Sequence, residues 1–157
     1  MIPEDVLKLM QNYEKGLKSL ASGAYVAVGL PKESASRAIY EGGESVIEIG
    51  ATHEFGTRQT PQRSFLRVPF SIKQGEIVKI QDSQHKAIFE KGKSISDALS
   101  VIGIKASNIS RGAFTSRGYG SWSDISSFTK ETKGSSQILI DTGTLRNSIT
   151  HEVRDAS

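Results

Sequence analysis

The first apolar positions of the chain recur with helical spacing. Val6, Met10, Tyr13, Leu17 and Leu20 stand three or four residues apart and form one stripe, which predicts an amphipathic helix up to about residue 20. Pro3 suits a first helical turn, and Glu4 and Asp5 suit its positive end. Glu14 and Lys18 are spaced for an ion pair one turn apart, and Ser22-Gly23 supplies a stop. Residues 24–29 (Ala-Tyr-Val-Ala-Val-Gly) then read as a short strand, closed by Pro31. Residues 31–44 are polar, contain Gly42-Gly43 and read as a loop. Residues 45–49, with Val46, Ile47 and Ile49, read as a second strand that pairs with the first as an antiparallel hairpin.

Beyond the hairpin the pattern turns helical again. A helical turn is expected at residues 51–55, ended by Gly56. Pro61 follows, and Phe65 and Leu66 form an apolar pair between Arg63 and Arg67. A helix over about 69–90 carries Phe70, Ile77, Ile80 and Ile88 inward and ends at Gly92. A second begins at Ser94, with Asp97 placed for a variant capping box, and continues as Ala98, Ile102, Ala106, Ile109 and Ala113. The tight Gly92-Lys93 connection folds the two into a helical hairpin. Residues 107–136 hold 9 serines and 4 glycines and read as a long loop or arm, with Trp122 and Phe128 its large apolar residues after Phe114. The chain closes with an apolar stretch at 137–140, a turn at Asp141-Thr142-Gly143, a helical turn at 145–148 and a strand at 149–153. Asp141 or Thr142 is placed to cap that helical turn, and Gly143 permits the bend. The expectation is one α+β domain over 1–157: a small antiparallel sheet packed against an N-terminal helix and a central helical hairpin, with a Ser/Gly-rich arm at about 107–136.

Composition narrows the chemistry. At 157 residues and 36% hydrophobic content the chain suits one domain with a modest core. The absence of cysteine excludes disulfides, thiolate zinc sites and a cysteine nucleophile. No apolar run is long enough to span a bilayer, and the acidic start is unlike a secretory signal, so synthesis in the cytoplasm and no membrane partner are expected. The net charge of +3 is mildly basic.

Individual motifs point away from catalysis. Residues 87–94 loosely match a phosphate loop, but the intervening residues are bulky or charged and polar residues precede them; a helix end and a serine cap explain the same letters. His53-Glu54 lacks the second histidine of a zinc-protease helix, since Thr57 stands in its place. No nucleophile elbow surrounds any serine. No cofactor, metal site or catalytic residue is therefore expected. Two stretches are basic, with a net +4 over 58–79 and +3 over 105–133, and they support an alternative role as a DNA-binding accessory protein. Arginines flanking an apolar pair also suit an interface, because Arg binds carboxylates bidentately and Phe buries a large area. For Phe65, core and interface are equally expected. For Arg63 the interface reading is favoured, and Arg63→Glu is expected to leave the monomer folded.

Three ordered segments resemble a known family. They are Ile49-Gly-Ala-Thr-His53-Glu54-Phe55-Gly56, Pro61-Gln-Arg63-Ser-Phe65-Leu66-Arg67, and Leu139-Ile-Asp141-Thr142-Gly143-Thr-Leu145-Arg146-Asn147-Ser148-Ile149. Together they are similar to the virion-morphogenesis proteins of tailed bacteriophages, a group of neck and tail-completion proteins. The resemblance implies a structural, non-enzymatic subunit of the head–tail connector. It also implies a homo-oligomeric ring of six copies around the DNA passage, with non-specific DNA contact in the lumen. The partners would be a head-completion or connector protein on one side and a tail terminator or tail tube on the other. Interface residues are expected at Arg58, Arg63, Phe65, Arg67 and Arg146, arm docking at Trp122 and Phe128, and structural turns at Gly56, Pro61, Asp141, Thr142 and Gly143. The family's second motif usually has proline after its arginine. Ser64 stands there in this chain and predicts a less stiff segment.

Overall fold

A computed structural model describes residues 2–32, 43–123 and 143–155. The expectations for the loop at 33–42, the arm beyond residue 123 with Phe128, the stretch at 137–140, and Asp141 and Thr142 lie outside them. The elements in chain order are α1 (Glu4–Leu20), β1 (Tyr25–Gly29), α2 (Val46–Phe55), α3 (Arg67–Ile72), α4 (Gln74–Lys91), α5 (Ile95–Thr115), α6 (Thr144–Ser148) and β2 (Thr150–Arg154). The class is α+β, as the sequence implied.

The helical hairpin forms the frame. Gly92 ends α4 in the left-handed region at φ 68°, where a side chain is disfavoured. Ser94 starts α5: its hydroxyl accepts the Asp97 N–H at 3.1 Å and donates to the Asp97 carboxylate at 2.7 Å. The long α5 helix is the centre of the fold and packs against α4 and against both strands. Gly103 lets the sheet come close, because a Cβ there would overlap the His151 ring.

Two strand expectations are corrected. Residues 45–49 are not a strand paired with β1. Instead, α2 runs unbroken from Val46 to Phe55. The short apolar run cannot distinguish strand from helix by period. A full capping box decides it: the Ser45 hydroxyl accepts the Glu48 N–H, and the Glu48 carboxylate accepts the Ser45 N–H at 2.9 Å. The partner of β1 is β2, antiparallel, with Tyr25 opposite Arg154 and Gly29 opposite Thr150. The last described strand therefore pairs with the first.

The helices also differ from their expected bounds. The helix expected over 69–90 starts at Arg67 and breaks at Lys73 into α3 and α4. The loop expected from residue 107 begins nine residues later, after Thr115. Ser107, Ser110 and Ala113 are buried on α5, where small residues let its neighbours approach. Residues 116–122 then form consecutive turns, with Arg117 and Tyr119 at φ 56° and Gly118 and Gly120 also in positive φ. These turns return Trp122 to the core.

That core joins distant segments. Phe65, Phe114, Trp122, Val46, Ala113, Leu145 and Ile149 form one buried cluster. Phe65 lies 5.5 Å from Phe114 between ring centroids, and Phe114 meets Trp122 edge to face at 5.5 Å. The N-terminal helix sits apart from this cluster, against α4. Its closest approach is at Gly16, where a Cβ would come within 2.9 Å of the Phe89 ring. The arc of α1 that meets α4 is therefore the Gly16 arc, and the apolar stripe faces outward.

Candidate functional site

The first two segments that carried the family resemblance meet at one carboxylate, and the described part of the third packs against Phe65. Glu54 lies in the last turn of α2, where the helix dipole is unfavourable to an acid. Its partner is the start of α3. The Phe65 and Leu66 N–H groups donate to Oε2 at 2.8 and 3.0 Å, and the Arg67 N–H donates to Oε1 at 3.1 Å. Glu54 thus caps another helix from a distance, since Leu66 offers α3 no side-chain cap of its own. The Arg67 guanidinium adds Nε to Oε1 at 3.0 Å and a bond to the Glu54 carbonyl at 3.1 Å.

The intervening loop is built to bring these groups together. Gly56 ends α2 at φ 74°, and a Cβ there would press on the Gln62 backbone at 3.0 Å. A turn closes through Thr57 N–H to the Thr60 carbonyl at 2.8 Å, with the Thr57 hydroxyl accepting from Gln59 and Thr60. The Arg63 N–H then donates to the His53 carbonyl at 2.8 Å, and the chain is docked on the end of α2.

Ser64 tightens the segment rather than loosening it, which corrects the expectation of lost stiffness. Its hydroxyl donates to Glu54 Oε1 at 2.8 Å and accepts the Val68 N–H at 3.0 Å. Its carbonyl accepts Trp122 Nε1 at 2.9 Å, and the next carbonyl, of Phe65, accepts the Ser110 hydroxyl at 2.7 Å. The third segment closes the unit from below, as Leu145 and Ile149 join Phe65 in the core. Gly143, at φ 67°, is the N-cap of α6 in the left-handed region.

Burial would raise the Glu54 carboxyl. The hydrogen bonds from Leu66, Ser64 and Arg67 outweigh it and hold the group below the usual carboxylate range. Desolvation pushes the Arg63 guanidinium below its ordinary value, although arginine remains charged in proteins.

The expected interface residues divide into two groups. Phe65 is 1% exposed and Trp122 is buried, so both are anchors of their own chain's core rather than surfaces for a neighbour. Arg63 is only 8% exposed, its Nε has no hydrogen-bond partner among the described residues, and it is not an exposed anchor. Arg58 and Pro61 are exposed on the loop after α2. Arg67 is half-exposed and lies over the Phe55 ring at 4.6 Å, making an outward patch of a cation on an aromatic. Arg146 is half-buried on α6. Sequence reasoning passed over Glu54 except as a failed zinc motif. The available signal was an acid at a helix end with a Ser-Phe-Leu-Arg run ten residues on.

Other candidates take ordinary roles. The residues of the loose phosphate loop form the α4 end and the α5 cap, and Lys93 Nζ donates to Gln84 at 2.6 Å. His53, His85 and His151 lie on three different elements, and no group of metal-ligating residues is found among the described residues. No described helix is long and apolar enough to cross a membrane. In the basic stretches, Lys73 and Lys105 converge on Glu76 at 2.9 and 2.6 Å, and Arg67 binds Glu54. The two lysines hold the Glu76 carboxyl at about 2, Lys105 contributing most. Three of the basic residues in those stretches, Arg67, Lys73 and Lys105, are therefore paired with acids within the chain. Comparison with protein families, with curated proteins and with solved structures finds no match for this chain.

Proposed function

We propose that the chain is a structural subunit of a tailed-bacteriophage head–tail connector, a neck or tail-completion ring that joins head to tail around the DNA passage. The carrying observation is that two of the resembling segments meet at Glu54 and the described part of the third packs beneath them against Phe65. Residues 49–56 supply the carboxylate, residues 61–67 its donors, and Leu145 and Ile149 the floor. The unit is filled by aromatic rings and closed by backbone bonds, which suits a rigid load-bearing scaffold.

In this reading six copies surround a lumen and act by adhesion, without turnover of a substrate. Arg58, Arg67 and Arg146 are the members of the expected interface that remain accessible, and Arg63, Phe65 and Trp122 support them from within. One face meets the head connector and the other the tail terminator or tube. The protein is made in the host cytoplasm and resides at the head–tail interface of the virion.

Deleting the coding segment from the phage tests the reading. The expected result is DNA-filled heads and complete tails that fail to join, with joining restored by added purified protein. Normal virions made without the chain, or virions whose neck contains no density for it, would overturn the proposal.

A further inference from the structure

Arg63 is a buried cation without a counter-ion among the described residues. It is 8% exposed, and its Nε is fully enclosed with no acceptor. Desolvation alone displaces its ionisation, so no described acid stands close enough to offset the burial. A buried charge left in this state opposes folding, and native interiors pair such charges or bind an ion to them.

The acids of the elements that build this unit are already engaged. Glu54 accepts from the Ser64 hydroxyl, from the N–H groups of Phe65, Leu66 and Arg67, and from Arg67 Nε. Glu48, the other acid of α2, closes the capping box with Ser45. Helices α3 and α6 contain no acid. The acid of α5, Asp97, lies in its first turn and bonds Ser94, while Glu152 of β2 pairs with Arg154.

Charge counting agrees. Residues 54–67 hold Arg58, Arg63 and Arg67 against Glu54, a net +2. The adjoining elements add cations rather than acids. Arg111 on α5 and Arg146 on α6 are half-buried, and the Nε of each lacks a partner among the described residues. Arg111 also donates to the Ile149 carbonyl, beneath Phe65.

Guanidinium geometry sets the chemistry of the missing group. Water can accept from Nε but leaves the charge uncompensated. A carboxylate brings both the charge and two coplanar oxygens, and it takes the Nε–H and a terminal N–H together in a side-on bidentate pair. We propose that Arg63 is a carboxylate-binding site, filled by a small free acid or by an Asp or Glu side chain of an adjoining copy. The site does not depend on the connector reading, which bears only on which of the two sources fills it.

Nuclear magnetic resonance of the full chain, read at the Arg63 Nε–H signal, tests it. The signal is identified by its loss in Arg63→Lys. Replacing sodium chloride by sodium formate at fixed ionic strength should move it downfield and saturate, with a midpoint of roughly 1–10 mM, and should raise the melting temperature. Arg63→Met removes the unpaired charge, so it should melt no lower than the wild type in chloride and should lose the response to formate. Where an adjoining copy brings the carboxylate, the signal moves downfield with protein concentration in chloride alone. A signal that answers neither formate nor concentration overturns the proposal. So does a signal already downfield in dilute chloride solution, because an acid of the same chain would then fill the site. A formate stabilisation kept in full by Arg63→Met overturns it as well. Virions that lack the chain would remove the connector reading and leave these responses unchanged.

Discussion

The Glu54 unit and the N-terminal helix are opposites within one small chain. Around Glu54, the backbone N–H groups of Arg63, Phe65, Leu66 and Arg67 and the carbonyls of Ser64 and Phe65 find partners inside the monomer, and the aromatic side chain is buried. On α1, the apolar stripe stays exposed among the described residues, although Tyr13 at its edge packs on the Phe89 ring at 5.1 Å. Both regions are rich in interface-type residues, but their free energy is realised differently. The first stabilises the fold; the second adds little to it, since a helix of this length is marginal without a packed apolar face. An arginine or aromatic in a motif is thus no guide to the surface, and a helical stripe is no guide to the core.

The largest effects are expected where the monomer is most closed. Glu54→Ala leaves three backbone N–H groups and the Ser64 hydroxyl without their acceptor, and should cost about 3–5 kcal/mol in denaturant unfolding. A loss below about 1 kcal/mol would mean that the unit does not depend on its carboxylate. Arg63→Glu puts an acid into a buried position and is expected to prevent stable folding, the reverse of what an exposed anchor predicts. A folded variant with normal melting would return Arg63 to the surface. Because the folded Glu54 carboxyl is depressed, its stabilisation is present above the ordinary carboxylate value and fades as pH falls through the folded value. Glu54→Gln should flatten that acid limb of the stability–pH profile.

A middle-sized effect is expected at Gly118. It holds φ 66°, and a Cβ would run into the Trp122 ring. Gly118→Ala should cost about 1–3 kcal/mol and expose the indole, shifting the emission of the chain's single tryptophan to the red. An unshifted spectrum would show that the turn is not what seats Trp122. Leu17→Glu sharpens the contrast from the other side: its effect on unfolding of the dilute monomer should stay within about 0.5 kcal/mol. The smallest effect is expected from Glu76→Gln, which releases the exposed Lys73 and Lys105 pairs. With the carboxyl at about 2, its small contribution persists from neutral pH down through the ordinary carboxylate range and vanishes as pH approaches 2. Added salt should reduce the difference between variant and wild type.

By itself the sequence determined the local elements whose signals are complete within a turn or two. The α1 pattern, the Gly92 stop, the Ser94 cap and the final strand all rest on neighbouring residues, and they stand close to where the pattern put them. It also contained Ser45 and Glu48 three residues apart, but the apolar run between them reads equally well as a strand, and only the formed capping box resolves it. The tertiary structure alone decided which strand β1 joins, that Glu54 reaches across to cap α3, that Ser64 substitutes hydroxyl bonds for a stiff ring, and which arc of α1 is covered. Each of these depends on groups 10 or more residues apart, as with Ser64 and Glu54 or Trp122 and Ser64. Periodicity states that a helix has an apolar face. Whether that face turns inward is set by where the closest approach is sterically allowed, and in α1 the missing side chain of Gly16 set it.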